Sequence, residues 1–251
     1  MRALVTNDDG VTSAGIRALA RAAADLGLDV VVAAPAWDSS GASASLTGVS
    51  LQGRLVVHDH ALDGDDHIRA YAVEAAPALI ARVGVRGAFG PEPDIVLSGI
   101  NHGPNTGQAV VHSGTVGAAL TAATQGCRAV AFSLGAEADG HVETAAAVAR
   151  TVIPWALDAP DRTVLNVNVP DVAEARLRGL RRATLATFGA VQTHVTEVNE
   201  GYVEVSYRDV DRVREPGTDT ALLAEGWATF TPLHSVCEAL SVETGSLESV
   251  G

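Results

Sequence analysis

Two adjacent carboxylates lie near the amino terminus of this chain, in the segment Asn7–Gly10, which reads Asn-Asp-Asp-Gly. The segment contains the pair Asp8 and Asp9 and directly follows the short apolar run Ala3–Thr6. Two carboxylates that point into one site repel each other, and a divalent cation is their simplest partner. Taken alone, the pair is also typical of a turn that leads into a helix. The metal interpretation therefore needs further ligands.

Oxygen-bearing side chains also follow two later apolar runs. One loop carries Asp38, Ser39 and Ser40, and another carries Ser98 and Asn101. Loops that follow parallel strands meet at one edge of a sheet, where open α/β folds bind their ligands. Carboxylate, hydroxyl and amide oxygens suit Mg²⁺, Mn²⁺ or Ca²⁺ rather than zinc or copper. The three loops together predict one site for a divalent cation.

A helix start made of small residues comes soon after the polar loop 98–108. It begins at Ser113, Gly114 and Thr115, where exposed N–H groups and the helix dipole can bind an anion. An ordinary N-cap is the alternative interpretation. The position directly after the polar loop favours phosphate. A dication beside a phosphate cradle is the arrangement for phosphoryl transfer to water.

Two histidines, His102 and His112, fall within the same stretch. Each could act as a general acid or base, or could simply be a hydrogen-bonded part of the lining. The other six histidines show no ligand spacing, so surface or packing roles are expected for them.

Hydrophobic periodicity predicts the elements that position these loops. Strands are predicted at 3–6, 28–34, 94–97, 128–132, 163–169 and 228–231, with short strands within 51–73. Helices are predicted from 13 to 26, 77–86, 113–126 and 142–157. Strand–helix–strand units imply a parallel sheet with right-handed crossovers, and therefore an α/β fold.

The character of the chain changes near residue 180. Tyr202, Val203, Val205 and Tyr207 lie in a β-rich run. This pattern predicts an α/β core over residues 1–180. Over 181–251 it also predicts a β-hairpin extension and a C-terminal segment that either packs on the core or swaps between subunits.

Composition narrows the function classes. The chain has 251 residues, 47% of them hydrophobic, and a net charge of −13, which disfavours nucleic-acid polymers and anionic membranes as partners. It contains no lysine, which excludes a Walker P-loop and a Schiff-base enzyme. No signal peptide or membrane span is recognisable, so a cytoplasmic location is expected.

Taken together, these motifs resemble the SurE survival-protein family, in the family's order and spacing. The similarity covers roughly residues 1–235. The matching segments are Asn7–Gly10, Ser40–Ser43, Ser98–Asn105, Ser113–Val116, Pro216–Asp219 and Thr231–Leu233.

The resemblance implies a Rossmann-like, doubly wound, mainly parallel sheet with a protruding C-terminal β-hairpin. It implies hydrolysis of nucleoside 5′- or 3′-monophosphates and a homodimer or homotetramer formed by C-terminal swapping. It also implies one divalent cation per subunit, Mg²⁺ or Mn²⁺, with Ca²⁺ as a crystallographic substitute. The family's metal ligands fall on Asp8, Asp9, Ser40 and Asn101.

Further site roles follow from the predicted cation and phosphate sites. Asp8, Asp9 and Asn105 are expected to be catalytic. One of the aspartates would orient the attacking water, and Asn105 would stabilise charge on the phosphoryl oxygens. The expected phosphate and substrate contacts are Asn7, Asn101, Ser113, Gly114 and Thr115.

The chain departs from the family pattern in two places. A common Gly-Thr-Pro-x-Asp motif is replaced over residues 75–79, where only Pro77 matches, and His112 stands where the family usually has tyrosine. These changes favour a helix that begins at Pro77 and a shifted substrate preference. Two alternatives stay open: a specialised phosphatase for another small phosphate ester, and a non-catalytic nucleotide-binding module.

Overall fold

The computed structural model describes residues 1–135, 140–187 and 215–238, together with the backbone of two strands between the last two ranges. The strands within these residues are β1 (Arg2–Thr6), β2 (Asp29–Pro35), β3 (Ser50–Leu51), β4 (Arg54–Leu55), β5 (Val57–His60), β6 (Arg69–Val73), β7 (Ile95–His102), β8 (Arg128–Gly135), β9 (Val164–Pro170), β10 (Leu180–Arg182), β11 (Val191–Asn199), β12 (Tyr202–Asp209) and β13 (Ala228–Leu233). The helices are α1 (Ala14–Asp25), α2 (Pro77–Gly84), α3 (Gly114–Thr124), α4 (Val142–Asp158) and α5 (Asp219–Ala224). None of the helices described is both long and apolar enough to cross a bilayer.

Nine of the strands form one sheet, in the order β10-β13-β9-β8-β7-β1-β2-β6-β5. From β9 to β6 neighbouring strands run parallel, whereas β13 and β5 pair antiparallel with this central block. The strand order reverses between β1 and β7. Open α/β sheets bind ligands beyond the carboxyl ends of strands at such a reversal. The predicted mainly parallel α/β fold is confirmed.

Helices cover both faces of the sheet. The side chains of β1 point alternately to the two faces and contact different helices. Ala3 and Val5 pack into one apolar cluster with α1 and α4, whereas Leu4 packs into the other with α2 and α3. A strand that is buried on both faces needs apolar residues at every position. This is why β1 and β2 appear in the sequence as uninterrupted apolar runs.

Capping residues define where the helices begin. The Ser13 side chain accepts a hydrogen bond from the backbone N–H of Ile16 and caps α1, as predicted. Helix α2 begins at Pro77, also as predicted. Its N-cap is Ala76, which makes no side-chain capping bond.

Strand β7 runs further than its apolar residues indicate. The sequence predicts a loop from Ser98 onward, but the strand continues to His102 and pairs Asn101 with Ser133 of β8. The pairing is irregular between Ser98 and Asn101. Gly99, with φ of +127°, lies against the Phe132 carbonyl, where a Cβ atom would be only 2.2 Å from the oxygen. The polar residues of this stretch therefore belong to a strand whose end borders the site.

The chain beyond residue 180 contributes to the core sheet. Strands β11 and β12 pair antiparallel, in agreement with the predicted hairpin. Strands β10 and β13 join the nine-stranded sheet, and neither β10 nor α5 was predicted. The division near residue 180 stays a prediction. Residues 239–251, and with them the expected exchange between subunits, lie outside the described part of the chain.

Gly117 provides a test of the contact between α3 and the Ser43 loop. A Cβ atom at Gly117 would lie 2.2 Å from the Ser43 carbonyl oxygen. Helix propensity alone predicts that Gly117→Ala stabilises the protein by about 1 kcal/mol. Because the backbone contact cannot yield cheaply, we expect destabilisation by roughly 1–3 kcal/mol in denaturant unfolding. Gly135→Ala, where a Cβ meets only ordinary contacts, is the control, and a stabilised Gly117→Ala would contradict this packing.

Candidate active site

The paired aspartates lie at the carboxyl end of β1, beside the reversal of strand order. Asp8 is only 3% exposed, and Asp9 is half-buried. The turn that carries them is braced by Asn7, whose amide nitrogen donates to the Gly10 carbonyl at 2.9 Å and to the Ser13 hydroxyl at 2.8 Å. Asn7 is fully buried. In this structure its side chain supports the turn, and its expected contact with substrate stays a prediction.

The first turn of α3 holds the Asp8 carboxylate. The Thr115 hydroxyl donates to Asp8 Oδ1, and the Thr115 backbone N–H makes a further hydrogen bond to the same carboxylate. Gly114 lies so close that a Cβ atom there would be 2.7 Å from Asp8 Oδ2. The anion that this helix N-terminus binds is thus the carboxylate of Asp8.

This arrangement changes the interpretation of residues 113–115. The Ser113 hydroxyl accepts from the Val116 N–H at 3.1 Å, so Ser113 is an N-cap, the alternative noted above. Thr115 serves to position Asp8. Direct contact between Ser113, Gly114 or Thr115 and a phosphate stays a prediction.

Asn101 joins the β7 end of the site to the same network. Its Oδ1 accepts from the Thr115 hydroxyl at 3.2 Å, while its Nδ2 donates to the carbonyls of His102 and Gly103. The two donations fix the amide so that its oxygen faces the aspartates. The His102 backbone N–H donates to Asp9 Oδ2 at 3.3 Å. The turn after β1 and the carboxyl end of β7 therefore converge, as the sequence predicts.

Ser40 is joined to the pair less directly. The Ser39 backbone N–H donates to the Asp8 carbonyl at 2.7 Å, which ties this loop to the end of β1. The Ser40 hydroxyl is exposed and donates to Asp38 Oδ1 at 2.6 Å. Because its proton is given to Asp38, the lone pairs of Ser40 Oγ remain available to a cation.

Electrostatics at the site favour a bound cation. Burial raises the pKa of Asp8, and burial together with the neighbouring Asp8 charge raises the pKa of Asp9 to about 6. Asp38 raises both further through its own charge, whereas hydrogen bonds from Ser40 lower the pKa of Asp38. A divalent cation would relieve this repulsion.

The donor set fits a hard cation. No group of three or more His, Cys, Asp or Glu side chains placed to hold a metal occurs in the described ranges. The candidate ligands are instead two carboxylates, one hydroxyl and one amide oxygen, from Asp8, Asp9, Ser40 and Asn101. All-oxygen ligands of mixed charge suit Mg²⁺ and Mn²⁺.

Asn105 is held by three side chains of the neighbouring strands. Its backbone N–H donates to Asn168 Oδ1, and its carbonyl accepts from the side-chain amides of Asn166 and Asn168, all at 2.8–2.9 Å. Its Nδ2 donates to the Ser133 hydroxyl at 2.8 Å. An amide nitrogen carries two hydrogens. Among the described residues the second hydrogen has no acceptor, so it can donate to a substrate oxygen.

Asp219, at the start of α5, anchors the same loop from the other end of the chain. Its carboxylate is fully buried and accepts from the backbone N–H groups of Gly107, Ala186 and Thr220, at 2.8–3.0 Å. Burial raises its pKa, and the three N–H donors partly offset this. In the sequence, Asp219 belongs to a segment that resembles the SurE family, but no role is predicted for it. Its role is positional, because Gly107 is two residues from Asn105.

The two histidines near the site are exposed. His102 lies close enough to Asp9 for its charge to lower the pKa of that carboxyl, against the larger effect of burial. His112 is the last residue of a 3₁₀ segment, Gly107–His112, that was not predicted. The choice between acid–base and lining roles stays open for both.

These features define an α/β protein of Rossmann-like topology with an all-oxygen candidate cation site at the reversal of strand order. The chain matches the family model described as "Survival protein SurE" over residues 3–192. It is 38% identical over 259 residues to the 5′-nucleotidase SurE of Ectopseudomonas mendocina, covering 100% of both chains. It is also 38% identical over 240 residues to the 5′-nucleotidase SurE of Pseudomonas aeruginosa, covering 93% of this chain and 92% of that one.

A solved structure supports the same family. The crystal structure of the SurE protein from Aquifex aeolicus superposes with a TM-score of 0.80 at 30% identity, covering 99% of this chain and 100% of that one. The chain belongs to the SurE family, as its motifs predicted.

Removal of the Thr115 hydroxyl tests whether it positions Asp8. We expect Thr115→Val, which keeps the side-chain shape, to weaken Mn²⁺ binding about 10–100-fold, the usual cost of losing a partner of a metal ligand. Thr115→Ser should keep most of the affinity. Isothermal titration with Mn²⁺ measures both. Equal Mn²⁺ affinities for the valine and serine variants would show that the Thr115 hydroxyl does not contribute to metal binding.

The raised pKa of Asp9 predicts how stability depends on pH. Because its pKa rises from 3.8 to about 6, the folded state binds this proton more tightly than the unfolded state. The resulting stabilisation is fully present below about pH 4 and is lost as the pH rises through about 6. The free energy of unfolding of the metal-free protein should therefore fall by roughly 1–3 kcal/mol over this window.

Denaturant unfolding in EDTA between pH 4 and pH 7 measures this fall. Asp9→Asn should flatten the curve, whereas Asp66→Asn, at an exposed loop acid, should leave it unchanged. The same pH dependence in wild type and Asp9→Asn would contradict the assigned cause.

Proposed function

We propose that this chain is a metal-dependent phosphomonoesterase that hydrolyses nucleoside 5′- or 3′-monophosphates to nucleoside and phosphate. The observation that carries the proposal is the adjacent carboxylates of Asp8 and Asp9 at the reversal of strand order, where Asp8 is buried and held by Thr115. The names of the relatives support a nucleotidase and favour the 5′ position.

Four oxygen ligands, from Asp8, Asp9, Ser40 and Asn101, would hold one Mg²⁺ or Mn²⁺ per subunit. When bound, such a cation polarises a phosphate oxygen and lowers the pKa of a water. This assignment rests on the mixed oxygen donors and on the repulsion between the two aspartates.

The protein's own groups then have distinct tasks. Asp9 is less buried than Asp8, so its carboxylate can reach a water, orient it and accept its proton. Asp8 is fixed by α3 and serves as a ligand. Asn105 donates its remaining amide hydrogen to a phosphoryl oxygen, where charge develops.

The reaction is a direct displacement without a phosphorylated enzyme. The water oxygen forms a bond to phosphorus as the bond from phosphorus to the ribose oxygen breaks. The water proton passes to Asp9, and the released alkoxide takes a proton from solvent. The proposal further includes a cytoplasmic homodimer or homotetramer that acts on small phosphate esters rather than on nucleic-acid polymers.

Neutralising either aspartate tests the proposal. We expect Asp8→Asn and Asp9→Asn to lower phosphate release from nucleoside monophosphates by at least about 10³-fold, because each removes a metal ligand. Both metal-free variants should be as stable as wild type or slightly more so, since one repelling charge is gone. The assay is phosphate release from a panel of mononucleotides and sugar phosphates, with and without Mn²⁺.

Asp66→Asn is the matched control for an acid outside the site and should keep wild-type turnover. Wild-type turnover in either Asp8→Asn or Asp9→Asn would refute the metal assignment. A covalent phosphoryl-protein adduct trapped during turnover would refute direct attack by water.

A further inference from the structure

A cavity of about 470 Å³ opens directly beside the candidate cation site. Its volume falls within the range of small-molecule pockets, about 300–1,000 Å³. Ser40, an expected metal ligand, forms part of its wall, as do Trp37, Thr47, Val49 and Ala76. A phosphate ester bound through its phosphate at the aspartates therefore has room beside it for its organic part.

The walls of the cavity suit a flat, uncharged ring. Every residue that lines it is uncharged. Trp37 is 46% exposed and Val49 is 43% exposed, in a chain with only 4% aromatic residues. The hydroxyls of Ser39 and Thr47 lie among these apolar groups. An exposed indole beside a few hydroxyls can stack a nucleobase and leave its polar edge hydrogen-bonded.

Backbone hydrogen bonds fix the indole side of the cavity. The Ala36 N–H donates to the Val73 carbonyl at 2.9 Å. Gly10, with φ of +96°, lies beside the Trp37 carbonyl, where a Cβ atom would be in ordinary van der Waals contact at 3.4 Å. The Trp37 backbone is thus set against the turn that carries the aspartates.

The opposite wall is fixed in the same way. The Ala76 N–H donates to the Thr47 carbonyl at 2.9 Å, and the Val49 N–H donates to the Glu74 carbonyl at 2.7 Å. Because both walls are tied to strand ends, the cavity is already formed, and a ligand has little backbone to order on binding.

We infer that Trp37 is the stacking face of a nucleobase subsite in this cavity. This inference rests on the proposed nucleotidase function and names the group that selects nucleotides over other phosphate esters. Purines should bind better than pyrimidines because they offer a larger stacking surface. Ala76 adds no hydrogen-bonding side chain to the far wall, so discrimination between bases of one size should be weak.

The segment 75–79 bears on this subsite through one residue. Ala75 is fully buried, and Leu79 packs into the core, so neither reaches the cavity. Ala76 does line it. Ala76→Thr should therefore be enough to change the ranking among nucleotides.

The first test compares substrates with and without a base. Trp37→Ala should lower kcat/KM for adenosine 5′-monophosphate about tenfold or more, mainly through KM, as expected for the loss of one base–aromatic stack. In the same variant, kcat/KM for ribose 5-phosphate should not change. Trp37→Phe should keep most of the activity on the nucleotide. Trp155→Ala, at an exposed tryptophan of α4 outside the cavity, is the control. It should leave kcat/KM unchanged for both substrates.

Equal losses on both substrates, or no loss on the nucleotide, would overturn the inference. A change in oligomer mass in Trp37→Ala, with the ratio between the two substrates unchanged, would instead show that the indole lies at a subunit interface.

The second test does not depend on turnover. Adenosine, which has no phosphate, should quench the tryptophan fluorescence of a Trp155→Phe protein, and additional Trp37→Phe should abolish the quenching. Quenching that persists without Trp37, or no quenching by millimolar adenosine or adenosine 5′-monophosphate, would overturn the subsite. If no phosphate ester is hydrolysed but adenosine quenches through Trp37, the proposed enzyme activity fails while the subsite stands.

Discussion

Asp8 and Asp9 are adjacent in the chain, and the fold removes both from much of the surrounding water. Burial and repulsion between the carboxylates both make ionisation of the pair unfavourable, and the pKa values of both groups are raised as a result. Such a pair persists in a fold only where the surrounding structure compensates for it. Many of the groups around the two aspartates offset the cost of burying these charges.

The compensation comes from several parts of the chain. Helix α3 directs its positive end at Asp8, and Thr115 links that carboxylate to Asn101 on β7. The Asn7 amide braces the turn from within the core. Each of these groups fixes the position of a carboxylate without removing its charge. A divalent cation is the natural completion of a site whose ligands are held in place but still repel one another.

The far end of the described chain takes part as well. Asp219 begins α5 and fixes the backbone at Gly107, while Asn166 and Asn168 of β9 hold Asn105. Strand β13 closes the sheet against β9. Residues near the end of the described chain therefore support a site whose acids lie near the amino terminus. On the other side, the loop from Trp37 to Ser40 joins that charged centre to an uncharged cavity, so that one molecule could place its phosphate and its organic part in different environments.

The sequence by itself determined the class of fold, because buried parallel strands need uninterrupted apolar runs and their helices need caps such as Ser13. It also determined that Asp8, Asp9 and Asn101 would meet, because the ends of parallel strands share one edge. It could not show that β7 continues through Asn101, since polar residues in a strand look like a loop when what faces them is unknown. Only the tertiary structure decided that Asn7 is buried, that the α3 N-terminus binds Asp8, and that Asp219 supports Asn105. The last two roles depend on distances between segments about 100 residues apart in the chain, and local periodicity carries no information about such distances.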